Sequence, residues 1–201
     1  MLMLTQLDAI NHNLFWLINA HHNVVFDYFF AIITNLGNGW YVTPILLFFV
    51  LRKIPKSQLT VFIIFSVLAM TACGLINSQI KKQVRSPRPP AYFSAHPTVT
   101  CTANGCDTAQ VHVVGKKLMQ HSFPSGHTNT AFSAAALLAL AFGGWYWLAF
   151  IPALLVGYSR VYLGVHFPVD AAAGAFLGFI LMWIGYIIYR RLFCSGANRD
   201  Q

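Results

Sequence analysis

Five apolar stretches decide what this chain can fold into. They run from about Asp27 to Leu51, Leu59 to Ile80, Ser125 to Phe142, Tyr146 to Leu163 and Pro168 to Tyr189, each close to the roughly 20 residues that a bilayer crossing needs. With 57% hydrophobic and 9% charged residues and a mean hydropathy of +0.58, the chain is too apolar for one soluble core of 201 residues. The expected fold is an all-α integral membrane protein, a single domain over residues 1–201 built from five or six transmembrane helices.

Two segments need separate treatment. Gly37-Asn38-Gly39 falls near the middle of the first stretch, where it would either kink one helix or split it into a short hairpin. Leu4 to Ala20 repeats apolar residues at helical spacing but interrupts them with Asp8, Asn11, His12 and Asn13, the pattern of an interfacial helix. Residues 1–26 contain no Lys or Arg and no continuous apolar core, so no cleavable signal is expected.

Charge gives an orientation. Arg52, Lys53 and Lys56 lie between the first two spans, and Arg190, Arg191 and Arg199 follow the fifth, which favours the cytoplasm for both flanks. An odd number of spans then puts the N-terminus, the loop at about 83–124 and the turn near His166 outside, as in a multi-pass protein of a bacterial inner membrane with its site facing the periplasm or exterior. That outer side also holds Lys81, Lys82, Arg85, Arg88, Lys116, Lys117 and Arg160, which topology alone does not explain.

The outer loop is too long to be a mere connector. It carries Cys101 and Cys106 in "CTANGC" around an Asn-Gly turn signal. On an oxidising side these form a disulfide candidate, with two free thiols or a metal knuckle lacking its other ligands as the alternatives. Cys73 inside the second span and Cys194 after the fifth read as filler.

Composition also excludes chemistries. The acidic residues are Asp8, Asp27, Asp107, Asp170 and Asp200, with no glutamate, so a carboxylate cluster around Mg²⁺ is hard to assemble. No metal and no cofactor is expected. The net charge of +8 suits anionic lipid, whereas nucleic acid is disfavoured as a partner because the basic residues sit between hydrophobic spans.

Three polar blocks interrupt the apolar chain: "KKQVRSPRPP" from Lys81, "SFPSGH" from Ser122 and "SRVYLGVHFPVD" from Ser159. The proposed topology brings all three out on one face. "PSGH" opens the third span, so amides near Ser125 and Gly126 lie at a helix N-terminus, where an anion is favoured. Lys81, Arg88 and Arg160 add positive charge, and arginine can grip phosphate oxygens in a fork. Asp170 lies four residues beyond His166, close enough to hold its ring and sharpen the other nitrogen as a nucleophile. His127, on a different helix, is free to protonate a leaving oxygen.

Lys81-x6-Arg88-Pro89, Pro124-Ser125-Gly126-His127 and Ser159-Arg160-x5-His166-x3-Asp170 together resemble the three signature motifs of the type 2 phosphatidic acid phosphatase (PAP2) superfamily. The resemblance implies a metal-independent phosphatase of membrane lipid phosphates. In it His166 attacks phosphorus, Asp170 supports it, His127 donates the leaving-group proton, and Lys81, Arg88, Ser125, Gly126 and Arg160 bind phosphate. Candidate substrates are undecaprenyl pyrophosphate, phosphatidylglycerophosphate, phosphatidate and a lipid A phosphate. A lipid phosphotransferase with the same site, or a transporter that only binds anions, are the competing classes. A transporter should carry polar residues at mid-membrane, and here they gather at helix ends. Lys82, Lys116 and Lys117 read as headgroup contacts, and His12, His21, His22, His96, His112 and His121 as solvated or capping residues.

Overall fold

The computed structural model describes residues 2–102 and 105–193. Inside lipid every backbone amide must be satisfied within its own segment, so apolar stretches of this length become helices. The chain forms α1 (Leu2–Asn19), α2 (Val24–Ile33), a 3₁₀ turn (Thr34–Gly37), α3 (Gly39–Lys53), α4 (Lys56–Val84) and α5 (Pro89–Ala95). After the hairpin β1 (Val99–Thr102) and β2 (Gly105–Thr108) come α6 (Gly126–Phe142), a second 3₁₀ turn (Gly144–Ala149), α7 (Phe150–Tyr162) and α8 (Pro168–Phe193). The helical bundle matches the expectation, and the antiparallel hairpin is an addition that the all-α reading did not include. Its register sets Cys101 opposite Cys106. The side chains of that pair, and Cys194 and Arg199 altogether, lie outside the described residues.

The spans are less uniform than hydropathy suggests. Among the described residues α4 and α8 are long and apolar enough to cross a bilayer, and α2 with α3 would make a third span, bent by 63° at the break. The Gly37-Asn38-Gly39 triplet therefore breaks the first stretch. Asn38 restarts the helix by accepting the Trp40 amide at 3.1 Å. The third and fourth stretches give helices of 17 and 13 residues, and the first part of the fourth is 3₁₀. By length and composition, two of the described helices, or three with the bent pair taken as one span, are therefore candidates to cross a bilayer.

α6 is the central element, and its buried face is made of small residues, among them Ala131, Ala134, Ala135 and Ser133. Small side chains let a neighbouring backbone approach closely. α8 takes that place with Gly174 and Gly178, where an added Cβ would strike the carbonyl oxygens of Ser125 and Asn129. Ser133 Oγ also donates to the Gly178 carbonyl at 3.2 Å. This contact fixes the first turn of α6, with Gly126 and His127, against the first turns of α8, with Asp170.

Chain direction then brings the C-terminal ends of α4 and α7 to the N-terminal ends of α6 and α8, while Lys56, Arg190 and Arg191 go to the opposite end. α1 packs at the site end, against α7 and α8. Its polar residues anchor it there. Asn11 Oδ1 accepts the Val169 amide at 3.0 Å, and the fully buried Asn19 donates to the Tyr162 and His112 carbonyls, both at 2.8 Å.

Candidate active site

The turn between α7 and α8 shapes one half of the site. The Val165 and His166 amides both donate to the Arg160 carbonyl, closing the end of α7 and turning the His166 ring inward, where it is 2% exposed. Asp170 sits in the first turn of α8, where negative charge is favoured by the unpaired amides. Its Oδ2 accepts the Phe167 amide at 2.8 Å and the hydroxyl of Ser122, and lies 3.5 Å from His166 Nδ1. Ser122 Oγ is itself 3.3 Å from that nitrogen. Burial pushes the His166 imidazole down to about 3, against the opposing pull of its bond to Asp170, and Arg88 and Arg160 push the same way as burial. The ring is therefore neutral.

Arg88 supplies the facing wall. Its Nε donates to the Gln120 carbonyl and its Nη1 to the Val165 carbonyl, each at 2.9 Å, and Nη1 also stands 3.4 Å from His166 Nε2. Its Nη2 reaches the His121 carbonyl at 3.5 Å. Lys81 Nζ donates to the same carbonyl at 3.0 Å, which His121 can present because its backbone is left-handed, with φ of 59°. Arg160 is 9% exposed and donates through Nη1 to Thr34 Oγ1 at 2.7 Å. His127 is within electrostatic reach of Arg160, Lys81 and Arg88.

The start of α6 divides its donors. The Ser125 amide donates to the Asp170 carbonyl at 2.9 Å, and its hydroxyl accepts from Thr128 Oγ1 at 2.9 Å and from the Thr128 amide at 3.5 Å. Ser125 thus holds the fold, and the amides of Gly126 and His127 are the two of that first turn left without a helical partner. Asn77 approaches the same turn: its Nδ2 would be 3.6 Å from a Cβ on Gly126.

The structure brings Lys81, Arg88, Ser125, Gly126, His127, Arg160, His166 and Asp170 to one end of the bundle. The sequence reading missed Ser122, Thr34, Asn77 and the carbonyl of His121. His112 corrects the expectation of a solvated ring. Its Nε2 is 3.0 Å from Asp27 Oδ1 and its ring stacks on His22 at 3.7 Å, while Tyr162 donates to the same carboxylate at 2.9 Å. Among the described residues no group of three or more His, Cys, Asp or Glu side chains is arranged to hold a metal ion.

Three cationic side chains at one end of the bundle, a neutral histidine braced by an aspartate and a helix N-terminus opposite make an arrangement suited to an anion. The chain belongs to the PAP2 superfamily, whose sequence pattern matches residues 62–194. It is 28% identical to an undecaprenyl-diphosphatase of Sulfolobus acidocaldarius, over 89% of this chain and 77% of that one. It is also 28% identical to a lipid A 4'-phosphatase of Porphyromonas gingivalis, over 90% and 72% of the two chains. The crystal structure of Aquifex aeolicus LpxE superposes with a TM-score of 0.69 at 30% identity, covering 89% of this chain and 95% of that one.

Proposed function

We propose that this chain is a membrane phosphatase that removes phosphate from a lipid phosphate or lipid diphosphate through a phosphohistidine. The observation that carries the reading is the division of the His166 ring. Nδ1 faces Ser122 and Asp170, while Nε2 stands beside the Arg88 guanidinium. With the proton on Nδ1 donated to Ser122 Oγ, whose own proton goes to Asp170, Nε2 carries the lone pair, which faces the Arg88 Nη1 donor and is released to attack when phosphate oxygens take that donor.

In the first half-reaction Nε2 forms a bond to phosphorus as the bond to the lipid oxygen breaks, and His127, protonated once the bound phosphate offsets the charge of Arg160, Lys81 and Arg88, gives that oxygen its proton. Arg88, Arg160, Lys81 and the Gly126 and His127 amides bear the charge on the phosphoryl oxygens. In the second half, neutral His127 takes a proton from water, whose oxygen displaces His166 and releases inorganic phosphate. These cations already do the neutralising that a metal would otherwise supply.

The lipid tail has a place beside the phosphate. A groove of about 580 Å³ runs between α6, α7 and α8, lined by Thr128, Phe132, Leu155, Val161 and Ala171 among others. Thr128, Val161 and Ala171 are chain neighbours of His127, Arg160 and Asp170. An apolar chain needs no hydrogen bonds there, so the headgroup can stop at the polar end. The site belongs at the outer face of a bacterial inner membrane in this reading.

Sequence identity does not rank the substrates, since a diphosphatase and a lipid A phosphatase match equally at 28%. The test is phosphate release by purified protein from undecaprenyl pyrophosphate, phosphatidylglycerophosphate, phosphatidate and lipid A, with EDTA present. One selective hit identifies the substrate. Lipid phosphate lost to an alcohol acceptor without free phosphate would make the protein a phosphotransferase, and activity that vanishes in EDTA and returns with Mg²⁺ or Zn²⁺ would reject the mechanism.

A further inference from the structure

We infer that the 3₁₀ break Thr34–Gly37 is a positioning element of the site, with Thr34 orienting the Arg160 guanidinium and Gly37 setting the place of His127. The inference rests on the roles given to Arg160 and His127 above. Neither Thr34 nor Gly37 belongs to the three polar blocks, and both lie outside residues 62–194 that match the family pattern.

Arg160 carries five N–H donors. Among the described residues the Thr34 hydroxyl is the one hydrogen-bond partner of its side chain, at 2.7 Å, and its Nε is buried without a partner. Thr34 and Arg160 are each 9% exposed, so water does little to replace that contact. A planar group held at one corner keeps its orientation while its remaining donors stay available to phosphate oxygens. Arg88, by contrast, is tied to several carbonyls. Thr34 can serve because the helix ends there: its own amide caps α2 on the Ile32 and Phe30 carbonyls, and its side chain turns across to α7.

Gly37 acts at the other end of the break. A Cβ there would lie 2.7 Å from both His127 Cβ and the His127 carbonyl oxygen, and 2.8 Å from Val156 Cγ1. None of these atoms is the far end of a flexible chain, so only a shift of the break or of the first turn of α6 relieves the clash. The glycine is what lets the break lie against the proposed proton donor.

The experiment compares Thr34→Val, Thr34→Ser and Gly37→Ala in the full-length protein, using the best lipid phosphate, an aryl phosphate and vanadate. Thr34→Ser should stay near wild type. Thr34→Val should weaken vanadate inhibition and lower kcat/KM by roughly tenfold, the scale expected when a buried charged donor loses its partner. If Thr34→Val does not fold, Thr34→Ala makes the same deletion. In an Arg160→Ala background, removing the hydroxyl should cost no further vanadate affinity, measured as vanadate-induced thermal stabilisation. A full additional loss there, or wild-type behaviour of Thr34→Val, overturns the role of Thr34 while leaving the site reading intact. An Arg160→Ala protein that binds vanadate normally rejects the assignment of Arg160 itself. Gly37→Ala should lose more kcat on the lipid than on the aryl phosphate, whose leaving group needs little protonation. Equal losses on both would make Gly37 a packing residue only.

Discussion

The hydroxyl of Ser122 donates to the Asp170 carboxylate and lies 3.3 Å from His166 Nδ1, so one fully buried serine touches both members of the pair that orients the nucleophile. Ser122→Ala should therefore act on the rate more than on binding. We expect kcat to fall by roughly tenfold with KM nearly unchanged, the size of one lost hydrogen bond to a charged group. Steady-state kinetics decide it, and a rise in KM at constant kcat would move Ser122 from the nucleophile to the substrate.

The two arginines should not tolerate lysine, for different reasons. Arg88→Lys loses a fork that also satisfies the Gln120 and Val165 carbonyls, so apparent Tm and activity should fall together. Arg160→Lys leaves fewer backbone groups exposed and should spare Tm while lowering kcat/KM by about tenfold or more, near 1.4 kcal/mol. Lys116→Ala and Lys117→Ala are the controls and should change little beyond lipid affinity. Near wild-type kinetics for both arginine variants would remove them from the phosphate.

The neutral state of His166 makes a pH prediction with a definite sign. Its folded value is pushed down to about 3 from an ordinary 6.5, so between those limits the unfolded chain binds the proton and the folded chain does not. This group's contribution to stability is present above about 6.5 and is lost as pH falls toward 3. Apparent Tm should drop on acidification from pH 7 to pH 5, and drop less in His166→Gln. The nucleophile stays neutral across that range, so a loss of kcat/KM between pH 7 and pH 5 belongs to another group. A His166 value near 6 measured by NMR, coinciding with an acid limb of kcat/KM, would contradict this.

What the sequence revealed follows from how local each signal is. Lys81, Arg88, His127, Arg160, His166 and Asp170 were readable because polar residues at the ends of apolar stretches have few other reasons to be there. Thr34 was not readable, since its partner lies 126 residues away and a threonine at a helix break is unremarkable. Ser122 stood inside a noted block but carried no spacing relation to His166 or Asp170. The second, third and fifth stretches became α4, α6 and α8 close to their expected bounds, whereas the start of the fourth did not become α-helix because hydropathy does not distinguish α from 3₁₀. Gly143 and Gly144, both with positive φ, end α6 and start a 3₁₀ turn that runs on into the fourth apolar stretch.

The hairpin predicts a covalent bond that the backbone permits. Cys101 and Cys106 are cross-strand partners, close enough for a disulfide if the loop faces an oxidising compartment. The closed ring is short, so its loss should cost only about 2 kcal/mol of loop order in the chain-entropy model and leave the bundle folded. Labelling of intact cells with an impermeant thiol reagent checks both claims. Rapid labelling without reductant refutes the bond, and labelling only after the inner membrane is breached reverses the topology.

The phosphohistidine is the sharpest claim. A phosphoramidate on His166 should be labile in acid and comparatively stable in base, unlike a phosphoserine on Ser125 or an acyl phosphate on Asp170. His166→Ala should abolish turnover and labelling together. His127→Ala should be slow on lipid but partly rescued on an aryl phosphate, because a good leaving group needs less protonation. Asp170→Asn should lower kcat with binding nearly intact, although it also disturbs the bonds from Ser122 and the Phe167 amide, so its loss should exceed that of Ser122→Ala. Rapid-quench labelling with a phosphate-labelled lipid, then acid and base treatment and peptide mapping, gives the answer. A base-stable, acid-labile label on the peptide holding His166 is the expected result. Label on Ser125, or inversion at a chiral phosphorus showing direct attack by water, would eliminate the covalent mechanism.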